Sequence, residues 1–169
     1  MKYPTVFINH GGGPLPLLGR QPSLVENMKD VVNKHLPKEP PKAIIVLSAH
    51  WESDPIRITS SKNPSMYYDY HGFPPETYRY KYPAPGSPEL AKKIRDLLGE
   101  NHLASQLDED RGFDHGVFIP LMIMYPEVGS FVGTRISPTA HSLSHLPLAI
   151  LKKGKYPCGV HFFAPVLRR

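Results

Sequence analysis

Apolar and polar positions along this chain alternate with two different periods, and the shorter runs end on histidines. Thr5-Val6-Phe7-Ile8-Asn9 and Ala43-Ile44-Ile45-Val46-Leu47 are nearly continuous apolar runs rich in β-branched residues, the pattern of strands covered on both faces. The first runs into His10 and the turn Gly11-Gly12-Gly13-Pro14; the second passes through Ser48-Ala49 into His50. Between them Leu24, Met28, Val31, Val32 and His35 recur at helical spacing, which predicts a helix capped by Ser23 and closed by Pro37, with His35 at its surface end. Ile56-Arg57-Ile58-Thr59-Ser60 alternates as a strand with one wet face. Ser87-Pro88-Glu89 carries the cap, first-turn proline and acid of a helix start, and Leu90, Ile94, Leu97 and Leu98 form its expected buried stripe up to Gly99. A further apolar run, Val117 to Met124, follows Gly112-Phe113-Asp114-His115-Gly116.

This order predicts an α/β fold, a doubly wound and mostly parallel sheet with flanking helices. In such sheets ligands bind outside the carboxyl ends of the strands, so His10 and His50 are expected to point into one crevice. The glycines after His10 would let the backbone approach a ligand closely, but they lack the spacing of a nucleotide-binding loop.

Composition narrows the class. The 169 residues suit one domain, and 20 Lys+Arg against 15 Asp+Glu give a net charge of +5 spread along the chain, a solvated surface with no nucleic-acid signature. The single cysteine, Cys158, excludes an internal disulfide. With no leader at Met1 and no apolar run of about 18 residues, the expected setting is the cytoplasm, without a membrane partner. The 20 prolines punctuate loops.

Chemistry-bearing residues cluster in three places besides the two strand ends. Residues 63–86 are dense in Tyr67, Tyr68, Tyr70, His71, Phe73, Tyr78, Tyr80, Tyr82 and proline, and these rings either wall a site for a flat ligand or pin the loop to the core. His71 beside Gly72 is either a site residue or an ordinary loop histidine. Glu52, next to His50, is either a partner for a histidine N–H or a solvated loop residue. In Gly112-Phe113-Asp114-His115-Gly116, His115 either orients on a carboxylate and presents its other nitrogen to a ligand, or stands idle beside a capping Asp114.

Taken together, His10-Gly11-Gly12-Gly13-Pro14, Ser48-Ala49-His50-Trp51, Gly72-Phe73-Pro74, Tyr82-Pro83-Ala84-Pro85-Gly86-Ser87-Pro88-Glu89-Leu90-Ala91 and Gly112-Phe113-Asp114-His115-Gly116 resemble the class III extradiol ring-cleavage dioxygenase superfamily, in its 4,5-DOPA dioxygenase branch. The resemblance implies a doubly wound α/β fold and a mononuclear non-haem metal. His10 and His50 match its metal-ligand motifs. His115 matches a site histidine outside the inner shell, one that hydrogen-bonds a substrate oxygen or moves a proton. A catechol and dioxygen would be the substrates, with His71, Tyr82 and Asp114 on the substrate side and the aromatic loop as pocket wall. Fe(II) is the implied metal, since zinc fits the same nitrogens but cannot pass electrons to oxygen.

The resemblance runs from about Pro4 to Pro126. Residues 1–126 are accordingly expected to form an incomplete dioxygenase-like domain, with the C-terminal part of the family fold missing, and 127–169 a divergent and poorly ordered tail. Relatives carry a further strand, an acid–base histidine and another metal ligand in that region. His141 and His145 are spaced as a helical ligand pair but crowded by Pro138 and Pro147, and a short strand is expected near Gly159 to Phe163. The expectation is little or no turnover. The rival readings are a non-catalytic metal-binding remnant or interaction protein, and a metal-assisted hydrolase; pairing with a second copy through an exposed sheet edge is left open.

Overall fold

A computed structural model describes residues 6–39, 41–127, 132–136 and 160–165. In chain order the elements are β1 (Val6–Asn9), α1 (Pro22–Asp30), β2 (Ala43–Leu47), β3 (Ile56–Thr59), α2 (Pro88–Glu100), β4 (Ser105–Asp108), α3 (His115–Met124), β5 (Val132–Ile136) and β6 (Val160–Pro165). The six strands form one sheet in the order β1-β6-β2-β5-β3-β4.

The sheet is mixed, which corrects the expectation of a mostly parallel one. β2 pairs with β5, and β3 with β4, in parallel. β6 runs antiparallel to both β1 and β2, and β5 meets β3 antiparallel at Ile136 and Ile58. An antiparallel strand between two others satisfies the ladder groups of both. Because β1 and β2 each oppose β6, they run in the same direction, so His10 and His50 leave the sheet at the same end. β5 and β6 both come from beyond residue 126, so the sheet does not stop at the boundary where the sequence resemblance ends, and the short strand expected near residue 160 is present.

Both faces of the sheet are covered, as the apolar runs require. Ile44 and Val46 join Ile8, Met28 of α1 and Val117, Phe118 and Leu121 of α3 in one core. Ile45, pointing the other way, packs on a second core of Ile56, Ile58 and the α2 residues Ala91, Ile94 and Leu98.

Local details differ from the periodicity in four places. α1 begins at Pro22 with Gln21 as N-cap and no side-chain capping bond, so Ser23 lies inside the helix; proline, with its preset φ, takes the first position instead. The chain continues as a π-helical turn over Val31–His35 and becomes extended at Leu36, ahead of Pro37, leaving His35 exposed. In α2 the Ser87 hydroxyl caps the Leu90 N–H as expected, but Ala91 completes the buried stripe with Ile94 and Leu98, while Leu97 is 59 % exposed. β4, Ser-Gln-Leu-Asp, carries no β-branched residue and is a strand because β3 pairs with it.

Residues 63–86 hold one 3-10 turn, Pro75–Arg79, and are stitched to the rest by a bridge between Met66 and Phe113. Among the described residues no helix is long and apolar enough to cross a membrane. The readings of His141, His145 and Cys158 fall outside the described residues.

Candidate metal centre

His10 leaves β1 buried, 1 % exposed, and the glycine turn behind it is shaped by packing. Gly11 has φ +83°, and a Cβ there would run into Gln21, Leu24 and Pro16. The glycines therefore let this turn close against the start of α1, where the sequence suggested closeness to a ligand. The Gly11 N–H donates to Asn9 Oδ1 at 2.9 Å and the Gly12 N–H to Gln21 Oε1 at 3.2 Å, so two side chains hold the backbone that follows His10.

His50 stands at the end of β2 on a turn held from both sides. Its N–H donates to Ser48 Oγ at 3.2 Å, and its carbonyl accepts from the Arg111 guanidinium at 3.3 Å. Arg111 is itself fixed over the Tyr67 ring at 3.9 Å, with the Trp51 ring at 5.7 Å. Fully buried Ser48 lies 3.0 Å from each carboxylate oxygen of Asp114, which is also fully buried. Asp114 caps α3 by accepting the Val117 N–H at 3.1 Å. The turn carrying His50 and the helix start carrying His115 are thus joined through one hydroxyl and one carboxylate.

His115 is oriented by a residue the sequence reading passed over. Asp69 Oδ1 accepts the His115 backbone N–H at 3.0 Å and sits 2.7 Å from its ring Nδ1. Asp69 Oδ2 lies 4.0 Å from His50 Nδ1. Burial by itself would raise the Asp69 carboxyl, but the hydrogen bonds from His115 outweigh it and hold the group below the usual carboxylate range.

The three imidazoles meet. His10 Nε2 and His50 Nε2 are 2.8 Å apart, and one ligand atom from each of His10, His50 and His115 lies within 4.8 Å of the others. Two ring nitrogens that close must share one proton or one cation. Nitrogen donors bound at about 2.0–2.1 Å to one ion lie about 3 Å from each other, so the spacing suits a divalent metal. Burial, then the neighbouring His115 and His50, lower the His10 pKa to about 3, which keeps its lone pair free of a proton at neutral pH, as a ligand requires.

The structure brings His10, His50 and His115 together, whereas the resemblance had His115 outside the inner shell. The other expected site residues are placed differently. Asp114 bonds to Ser48 and caps α3, whose first N–H groups need partners. Tyr82 is buried in the core, where its hydroxyl donates to the Tyr125 carbonyl at 2.9 Å and burial pushes its pKa up. His71 is exposed in its loop and stands outside the three-histidine cluster. Glu52 is exposed, the solvated of its two readings.

Most of the loop's rings serve to pin it. The Tyr68 and Tyr70 hydroxyls donate to the carbonyls of Tyr80 and Thr77, both at 2.5 Å, and Tyr68, Tyr70 and Tyr78 pack edge to face or tilted around one another and Phe118. Tyr70 also reaches the site, its ring 5.9 Å from that of His115.

Comparison with known proteins gives a consistent result. Residues 19–154 match the family model described as the catalytic LigB subunit of aromatic ring-opening dioxygenase. The match extends past residue 126. The chain is 42 % identical over 126 residues to the 4,5-DOPA dioxygenase extradiol of Beta vulgaris, covering 73 % of this chain and 46 % of that one. It is 41 % identical over 131 residues to dioxygenase tasH of Hapsidospora irregularis, covering 73 % and 40 %. With the 4,5-DOPA dioxygenase extradiol of Escherichia coli K12 it shares 36 % over 127 residues, covering 75 % and 44 %. Among solved structures, an uncharacterized protein of Escherichia coli K12, JW3007, superposes with TM-score 0.51 at 31 % identity, covering 70 % of this chain and 41 % of the other. The chain therefore spans less than half the length of these relatives.

Proposed function

Because this chain belongs to the family of the catalytic LigB subunit of aromatic ring-opening dioxygenase, we propose that it holds one divalent non-haem metal on His10, His50 and His115 and opens the ring of a catechol by extradiol cleavage, with dioxygen as oxidant. The observation that supports this most is the convergence of three histidines from three separated motifs at one end of the sheet. Three imidazole nitrogens suit iron and zinc alike, and Fe(II) is the proposed ion because the reaction is a redox one. Bound there, it would bring the two catechol oxygens and dioxygen together and let electron density pass from ring to oxygen. A DOPA-like catechol is the proposed substrate, after the names of the relatives.

The chain's own residues supply the rest. His10, neutral and buried, serves as a ligand and not as an acid. Asp69 orients the His115 ring, and the Tyr70 ring covers one side of it. With Nδ1 on Asp69 and Nε2 on the metal, His115 is a ligand; the rival arrangement, in which Nε2 faces a substrate oxygen and exchanges a proton with it, would leave the ion on His10 and His50.

The test is oxygen uptake with L-DOPA, together with the yellow ring-cleavage product, on protein loaded anaerobically with Fe(II). Uptake lost in His50→Ala supports the reading. Metal binding without oxygen uptake would assign a metal-binding role without catalysis, and hydrolysis with zinc but no oxygen uptake would assign a hydrolase. Zinc binding by His115→Ala, compared with His10→Ala, separates a ligand from a proton carrier.

A further inference from the structure

We propose that Asp69 is the positioning residue of the metal centre: its carboxylate, hydrogen-bonded to Nδ1 of His115 and standing 4.0 Å from Nδ1 of His50, fixes which ring nitrogen of His115 is left to bind the ion and places a negative charge behind His50. The inference rests on the metal reading above and deepens it.

The geometry carries it. Asp69 Oδ1 receives two hydrogen bonds from the same residue, the His115 backbone N–H at 3.0 Å and ring Nδ1 at 2.7 Å. A carboxylate only accepts, so in the neutral ring the proton belongs on Nδ1 and Nε2 is left with the lone pair. The backbone bond matters as much as the ring bond, because it ties the carboxylate to the first residue of α3 and leaves the imidazole little freedom to turn. Oδ2 lies 4.0 Å from His50 Nδ1, on the opposite side of that ring from Nε2, which meets His10 Nε2 at 2.8 Å. The carboxylate thus stands behind two of the three histidines. A metal-binding histidine commonly gives its other ring N–H to a carboxylate, which fixes tautomer and orientation.

Among the described residues Asp69 is the carboxylate with a hydrogen bond to the His115 ring. Asp114, adjacent in sequence to His115, is occupied by Ser48 and the Val117 N–H. Asp69 is carried by the aromatic loop, whose position is set by the Tyr70 hydroxyl on Thr77 and by the paired backbone bonds Phe113 N–H to Ser65 and Tyr67 N–H to Phe113. Docking of the loop and preparation of the metal nitrogens are therefore one event.

The experiment has two readouts on the full chain. Nitrogen-15 NMR of the histidine rings in metal-free protein reports the tautomer, and titration with Co(II), followed by its visible absorption, reports affinity. Wild type should show His115 protonated at Nδ1. Asp69→Ala should lose that preference and bind Co(II) roughly 10–100-fold more weakly. Asp69→Asn, whose amide oxygen can still accept from Nδ1, should keep the tautomer and recover part of the affinity; the tautomer is the readout that packing alone would not move. The proposal is overturned if wild-type His115 carries its proton on Nε2, or if folded Asp69→Ala keeps both tautomer and affinity. Failure of wild type to bind Co(II) at all would overturn the metal reading instead, and the tautomer would still decide the part of Asp69.

Discussion

Removing the Ser48 hydroxyl should loosen the joint between the two histidine-bearing segments, and the cost can be worked from the geometry. Ser48 and Asp114 are both 0 % exposed, and Ser48 Oγ lies 3.0 Å from each carboxylate oxygen. A hydrogen bond to a charged acceptor contributes about 1.5–3 kcal/mol. Ser48→Ala also removes the acceptor for the His50 N–H, a longer bond at 3.2 Å, worth about 0.5–1 kcal/mol more. The total expected loss is about 2–4 kcal/mol. Asp114→Ala loses the same bond and the cap on Val117, the latter worth about 0.5–2 kcal/mol. Since both variants break one shared bond, the double variant should fall short of the sum by about 1.5–3 kcal/mol. Urea unfolding of all four proteins at neutral pH, with chelator present so that no metal contributes, measures this coupling. Additivity within about 0.5 kcal/mol would show that Ser48 and Asp114 act independently and would refute the joint.

Stability should also fall with acid through His10. Its folded pKa of about 3 lies below the ordinary value of 6.5, so the site is unpenalised above pH 6.5 and loses stability as pH drops toward 3, because only the unfolded chain takes the proton. The slope approaches about 1.4 kcal/mol per pH unit for this one group; urea midpoints of metal-free protein at several pH values should show it, and His10→Gln should flatten it. Gly112→Ala would place a Cβ against the Ser65 carbonyl oxygen and hydroxyl, an overpacking that costs about 1–3 kcal/mol. Thermal melts should register it, and an unchanged midpoint would show that the loop gives way freely. Phe163→Pro should remove a ladder N–H from β6, whose Phe163 is the register partner of both Val6 and Val46, at about 1–3 kcal/mol for the backbone group left unpaired. Co(II) binding should weaken with it, and full retention would show that β6 does not hold His10 in place.

Much of this was visible in the sequence, for definite reasons. The runs before His10 and His50 read as strands because both of their faces are covered, so burial leaves nearly every position apolar. The caps at Ser87 and Asp114 were legible because a cap acts within three residues of itself. What depends on distance was not. β4 is polar and exists through its pairing with β3, and β6 reaches its place between β1 and β2 from more than a hundred residues away. Asp69 sits 46 residues from the histidine it orients, and nothing around Tyr68-Asp69-Tyr70 marks it except an acid set among pinned rings. The place of Ala91 and not Leu97 in the α2 stripe is subtler: Ala91, Ile94 and Leu98 share one helical face against Ile56 and Ile58, and Leu97 lies off it.

The supports of the three histidines fall into two separate sets. His50 and His115 are bound into one polar network, through Ser48 and Asp114 on one side and Asp69 on the other. His10 meets that network through its ring, 2.8 Å from His50 Nε2; among the described residues its strand is joined to that of His50 through β6 and through a shared core, while Asn9 and Gln21 fix the turn beyond it. The metal centre is thus the meeting of a locally braced pair with a third ligand delivered by the sheet. Perturbations should divide accordingly. Ser48→Ala and Asp69→Ala should disturb the His50–His115 pair and leave the β1 ladder intact, whereas Phe163→Pro, opposite both Val6 and Val46, should disturb the delivery of His10 and His50 by their strands and leave the Asp69–His115 bond standing. A metal bound across both sets would tie the network to the sheet, so loading with Co(II) should stabilise the wild type more than any of these three variants.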